Sequence, residues 1–183
     1  MDVRRVVTGH DADGKAVFVS DDVVAPFVPA FSPQSSFHQL WSFDEAPRFP
    51  DDGSMQARSR YFPSVGGFRF NFFTLPPDGD NELPEGVDVG AALAEVNATL
   101  PGLLDHMEPG APGMHTTATC DIEVVLSGTP VLELDDGAMV TLHPGHTVVQ
   151  NGTRHRWSNP GTEPATLAVV LVGAHHEHVH VEG

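Results

Sequence analysis

Gly113-Met114-His115-Thr116-Thr117-Ala118-Thr119-Cys120-Asp121 and Gln150-Asn151-Gly152-Thr153-Arg154-His155 decide how this chain is to be read. Each stretch plants a histidine where a small β-barrel aims side chains inward, and segment 122–149 between them alternates as paired strands do. Two imidazoles and the Asp121 carboxylate, from distant parts of the chain, come within reach of one metal ion if the barrel closes. A geometric condition attaches to this. On a straight strand His115 and Asp121 would stand ~20 Å apart, whereas a histidine–metal bond is only ~2.1 Å long. The chain must therefore bend between Thr116 and Cys120 for a shared site to exist.

Outward from these stretches the pattern is strand, turn, strand. Thr119 to Ser127, Pro130 to Leu134, Ala138 to Leu142, Thr147 to Gln150, Arg154 to Ser158 and Ala165 to Val172 read as short strands separated by Gly-rich turns. Such even spacing indicates an all-β sandwich or barrel. Upstream, Arg4 to Val7 and Lys15 to Val19 read as a hairpin around Asp11-Ala12-Asp13-Gly14, and Ser36 to Ser42 is one strand inside a long irregular stretch, 22–66. Phe68, Phe70 and Phe72 alternate with Arg69 and Asn71 in a half-buried strand ended by Pro76-Pro77. Asp88 to Leu100 is the one good helix, capped by Asp88, with Val89, Leu93, Val96 and Leu100 as its apolar stripe. The expected organisation is a single domain over 1–183. It comprises an N-terminal extension (1–66), a strand plus helical insertion (67–112), a motif-bearing barrel half (113–173) and a His-rich tail (174–183).

The two opening stretches resemble the cupin superfamily, whose first motif reads G-x5-H-x-H-x(3,4)-E-x6-G and whose second reads roughly G-x5-P-x-G-x2-H-x3-N. This chain offers His115-x-Thr117-x3-Asp121-x6-Gly128, then Gly145-x4-Gln150-x-Gly152-x2-His155-x3-Asn159. The resemblance spans residues 113–172 and implies a double-stranded β-helix, or jelly roll. Thr117 stands at the second histidine position, Asp121 replaces the glutamate, and Gln150 replaces the proline. What remains, His115, Asp121 and His155, has the composition of a two-histidine, one-carboxylate site for a divalent ion such as Fe, Mn, Zn or Ni. No organic cofactor site is expected. The resemblance also implies homodimers in which N-terminal segments cross over.

Strand alternation orders the neighbours. Asp121, Glu123 and Val125 share one face, and Cys120, Ile122 and Val124 the other. Glu123 is the candidate catalytic residue, a general acid or base beside the metal; the alternative is a carboxylate at the barrel mouth paired with arginine. Thr117, Phe70 and Trp157 are the candidate substrate-pocket residues, with Trp157 serving equally as plain core. His106 is either a lid residue or a helix-end residue, and His143 and His146 are expected in solvent. The tail His175-His176-Glu177-His178-Val179-His180 is expected to fray and collect stray metal.

Composition bounds the function. A net charge of −16, from 25 acidic and 9 basic residues, repels phosphate backbones and anionic lipid surfaces, so neither nucleic acid nor membrane is an expected partner. One cysteine, Cys120, and no apolar leader point to the cytoplasm. The functional expectation is a metal-dependent enzyme on a small carbonyl, carboxylate or aromatic metabolite, by lyase, isomerase, dehydratase or dioxygenase chemistry. The alternative is a non-catalytic binder of small molecules with a degenerate metal site. Both take a small-molecule ligand, and a homodimer is expected.

Overall fold

The structure, a computed structural model, describes residues 2–80 and 83–179. Its strands in chain order are β1 (Arg4–His10), β2 (Ala16–Val23), β3 (Ser36–Phe43), β4 (Phe68–Leu75), β5 (Thr119–Ser127), β6 (Val131–Glu133), β7 (Met139–Thr141), β8 (Thr147–Asn151), β9 (Arg156–Ser158) and β10 (Ala165–Gly173). Helix α1 (Val89–Thr99) interrupts them. A five-stranded sheet ordered β3-β4-β10-β5-β8 faces a three-stranded sheet ordered β7-β6-β9, and β1 and β2 form a separate hairpin. The pairing is antiparallel throughout. This is the expected double-stranded β-helix.

Register stacks the inner face of the large sheet in layers. Phe37, Phe73, Leu167 and Val125 lie on one rung across β3, β4, β10 and β5. The next inward rung carries Gln39, Asn71, Val169, Glu123 and Val148, and the third carries Arg69, Leu171, Asp121 and Gln150. One end of the barrel is apolar: Leu75, Val125, Leu132, Leu142 and Leu167 form a buried cluster against Phe73 and Trp157. Each such side chain contributes roughly 1.5–3 kcal/mol by leaving water. The other end is polar on the sheet and capped by a second cluster, Tyr61, Phe62, Leu100 and Leu171.

Two sequence readings change. Arg69, read as an outward residue of β4, is 0% exposed. Its Nε donates to the Arg60 carbonyl at 3.1 Å, its Nη1 donates to those of Phe43 and Phe68 at 2.8 and 3.0 Å, and it pairs with Asp44. That satisfied fork lets a guanidinium sit inside and turns Phe68, Phe70 and Phe72 to the opposite face. On α1, Asp88 does cap, accepting from the Ala91 N–H at 3.0 Å. The buried face, however, is Ala92 and Val96, leaving Val89 and Leu93 exposed.

Candidate active site

The bend required between Thr116 and Cys120 is present. Residues 116–118 lie outside any strand, and β5 begins at Thr119. His115 pairs instead with the second stretch: its N–H donates to the His155 carbonyl at 2.9 Å, and the return bond is 3.0 Å. The two rings stand 4.2 Å apart, tilted by 50°. His115, His155, Asp121 and Glu123 all line one cavity of about 140 Å³ inside the barrel. Its apolar wall includes Phe37, Phe73, Tyr61 and Trp157, with Leu103 and Met107 contributed by the segment after α1.

Hydrogen bonds fix the imidazole tautomers. His115 Nδ1 donates to the Gly113 carbonyl at 2.9 Å and His155 Nδ1 to that of Thr153 at 2.8 Å. A carbonyl only accepts, so each Nδ1 carries the proton and each Nε2 keeps its lone pair. Burial holds both rings neutral, with His155 lowered to about 4. The carboxyl groups move the other way. Burial raises Asp121 to about 6, offset in part by the Thr119 hydroxyl. Glu123 rises to about 8 through burial and the neighbouring Asp121 charge, offset in part by Trp157. Asp121 is 3% and Glu123 4% exposed, and Asp121 Oδ1 and Glu123 Oε2 have no hydrogen-bond partner among the described residues. Such orphaned atoms are costly unless a ligand satisfies them. Glu123 therefore does not sit at the barrel mouth beside an arginine.

Thr117, at the second histidine position of the family motif, is 1% exposed, and its hydroxyl is 2.7 Å from that of Thr119. Thr117, expected in the substrate pocket, does not line the chamber; its hydroxyl leads through Thr119 to Asp121, which does. The donor set meets the requirements of an ion halfway. His115 and His155 line the chamber, each with an unprotonated Nε2, yet no three His, Cys, Asp or Glu side chains gather closely enough to hold a metal among the described residues. His115, His155 and Asp121 thus share the lining of one cavity without forming a close three-donor cluster.

Trp157 lines the chamber and Phe70 does not: alternation along β4 puts Phe73 there, while Phe70 lines a groove between β1 and the outer face of β4. Cys120 faces away from Asp121, as expected, with its Sγ 3.5 Å from Asn151 Oδ1. His106 packs edge-on to Phe62, ring centroids 4.8 Å apart, and donates to the Thr116 carbonyl at 3.0 Å, bracing the bend rather than covering the site. His143 and His146 are exposed. The described part of the tail is hydrogen-bonded back onto the barrel. His176 Nε2 donates to the Gly152 carbonyl at 3.1 Å, and its Nδ1 accepts from the N–H groups of His178 and Val179; His180 lies outside the described residues. Sequence reasoning missed Tyr61, Phe62, Leu103 and Met107, which come from irregular segments without periodicity. Phe73 was within reach of it, had Arg69 been assigned to the interior.

Comparison with known proteins agrees with this architecture. Residues 103–172 match the cupin domain family. A cupin-domain-containing oxidoreductase, FogC of Aspergillus ruber, is 25% identical over 173 residues, covering 93% of this chain and 72% of that protein. The phomopsin biosynthesis cluster protein C' of Diaporthe leptostromiformis is 29% identical over 155 residues, covering 85% and 69%. The cupin-domain-containing oxidoreductase VirC of Hypocrea virens is 23% identical over 171 residues, covering 92% and 74%.

Proposed function

Since the chain is a member of the cupin superfamily, we propose that it is an enzyme of small-molecule biosynthesis that binds an uncharged metabolite in the barrel chamber and moves a proton on it. One observation carries this reading: two neutral imidazoles and two buried carboxyl groups converge on a single aromatic-walled cavity. Asp121 and Glu123 are pushed apart, to about 6 and about 8, which leaves one carboxylate and one carboxylic acid side by side at neutral pH. Asp121 then accepts a proton from carbon or oxygen of the substrate, and Glu123 donates one to a carbonyl or leaving oxygen. Nε2 of His115 and of His155 accept hydrogen bonds from a substrate hydroxyl and orient it. The reaction class is isomerisation or dehydration, and the cytoplasm is the proposed site of action.

The relatives named oxidoreductases, together with the two free Nε2 atoms, favour a second, metal-dependent reading in which His115 and His155 hold a divalent ion that would supply Lewis-acid or redox chemistry. Elemental analysis of protein with exposed His175 and His178 replaced by Asn separates the readings. One equivalent of Fe, Mn, Zn or Ni, lost in His155→Ala, establishes metal dependence; less than one-tenth equivalent leaves side-chain acid–base chemistry. Turnover of phenolic and carbonyl metabolites is expected to follow a bell with limbs near pH 6 and 8. Glu123→Gln should lower kcat by about 10²–10⁴ while binding persists. A protein that binds such ligands and turns over none is the non-catalytic binder, and the proposal fails.

A further inference from the structure

The inner chamber shares a wall with a second cavity. Phe37, Phe73, Leu103 and Trp157 line it and also line a second cavity of about 740 Å³ on the outer side of the same four side chains. The outer cavity is bounded by Leu104, Met139 and the Arg156–Glu133 pair, whose Nε–Oε2 distance is 2.7 Å. The chamber alone holds one six-membered ring, since a buried apolar cavity of ~150 Å³ accommodates benzene. The outer cavity has the volume of a site for a much larger molecule.

We propose that the substrate is a neutral, mostly apolar molecule longer than one ring. Its ring-sized reactive end sits in the inner chamber, and its tail threads the collar of Phe37, Phe73, Leu103 and Trp157 into the outer cavity. The assignment rests on the reading of the chamber as the substrate site and adds to it the class and the direction of the substrate. Shape gives the length, because the two cavities are divided only by the shared side chains of Phe37, Phe73, Leu103 and Trp157. Charge argues against an anion. The one cation lining either cavity among the described residues is Arg156, already held by Glu133. Nearby Arg69 is engaged by Asp44 and backbone carbonyls, and Arg58 donates to Asn71 Oδ1 at 3.1 Å. Acidic side chains contribute to both linings, Asp121 and Glu123 inside and Asp78 and Glu133 outside. An anionic ligand meets no free counter-charge in either cavity.

Phenol, 4-butylphenol, 4-hexylphenol and 4-hexylbenzoate serve as probes, their affinities measured by calorimetry on the full chain. Affinity is expected to rise from phenol to 4-butylphenol by at least about tenfold, since a buried methylene is worth roughly fourfold. It should rise again at 4-hexylphenol and fall at least tenfold for 4-hexylbenzoate. Met139 is 63% exposed on the outer rim, so Met139→Glu should weaken 4-hexylphenol about five- to tenfold and leave phenol unchanged, with Met139→Leu restoring the parent value. If phenol binds but the longer phenols bind no tighter, or if Met139→Glu weakens both probes equally, the two-cavity assignment is overturned and the chamber reading stands. If none of the four binds, both fall. If 4-hexylbenzoate binds as tightly as 4-hexylphenol, the neutral class is overturned.

Discussion

Glu123 shows how far one position can depart from its solution chemistry. It is 4% exposed on the inner face of β5, with Asp121 two residues away on the same face. Its pKa of about 8 lies far above the ordinary 4.5. Between those two values the folded state keeps a proton that the unfolded chain has released, so stability falls as pH rises through the interval. Asp121 adds the same sign between 3.8 and about 6. His155 opposes both in a lower window: with its folded pKa at about 4 against 6.5, stability rises with pH there. Above about pH 6.5 the Glu123 contribution alone remains. The other groups felt at this site, Tyr61 and Arg58, titrate above it. Glu123→Gln is therefore expected to be more stable than the parent at pH 9, by roughly 4 kcal/mol, with the gap closing toward pH 5. Urea unfolding at pH 5, 7 and 9 checks this, and a variant less stable at pH 9 than at pH 5, relative to the parent, contradicts it. The inward parity of Glu123 was legible from alternation alone, but its isolation from any arginine was not. That depends on where β4 and segment 44–66 lay Arg58 and Arg69, which involves long-range packing.

Among the elements, the strands of the barrel half fall within a residue or two of their sequence limits, since each is bounded by Gly, Pro or Asp turns that carry their own signal. The Asp88 cap marks the start of the helix in the sequence, and half of its apolar stripe holds: Val96 and the C-cap Leu100 are buried, while Ala92 takes the inward place expected of Val89 and Leu93, which stay exposed. The parity of β4 failed for a physical reason: local rules send arginine outward, and the carbonyls of residues 43, 60 and 68 reversed that. The turn after β5 shows the opposite case, in which one residue could be read directly. Gly128 has φ +75°, and an added Cβ would stand 2.5 Å from the Ala165 Cα. Backbone conformation and close approach both exclude a side chain there. Gly128→Ala should cost about 2–4 kcal/mol, from left-handed strain and overpacking of about 1–3 kcal/mol each, seen as a lower urea midpoint with an unchanged m-value. A loss below about 0.5 kcal/mol would show that β5 and β10 can separate at this corner.

For the molecule as a whole, hairpin β1–β2 lies apart from both barrel sheets. Val3 and Val7 are buried, and Arg5 donates to the Leu40 carbonyl at 3.0 Å with its guanidinium over the Trp41 ring. β2, by contrast, exposes Val17, Val19 and Val23, and Phe18 is 81% exposed. A strand with a free edge and apolar faces is a template for pairing, and an antiparallel pair of identical edges is self-complementary about a two-fold axis. We expect a homodimer joined through β2, with twice the chain mass by light scattering at micromolar concentration and dissociation in Phe18→Asp. A monomeric parent at tens of micromolar overturns this. Among the described residues no helix is long and apolar enough to cross a membrane.

The layered interior has a practical consequence for diversifying this protein. The rungs that carry charge and the rungs that carry only hydrocarbon sit at opposite ends of one barrel, so selection can act on each with little interference from the other. A library confined to Leu75, Val125, Leu132 and Leu142 would sort variants by heat tolerance. One confined to Tyr61, Met107 and Leu103 would sort them by appetite for different guests, at a cost in robustness that the hydrocarbon end can be tuned to restore.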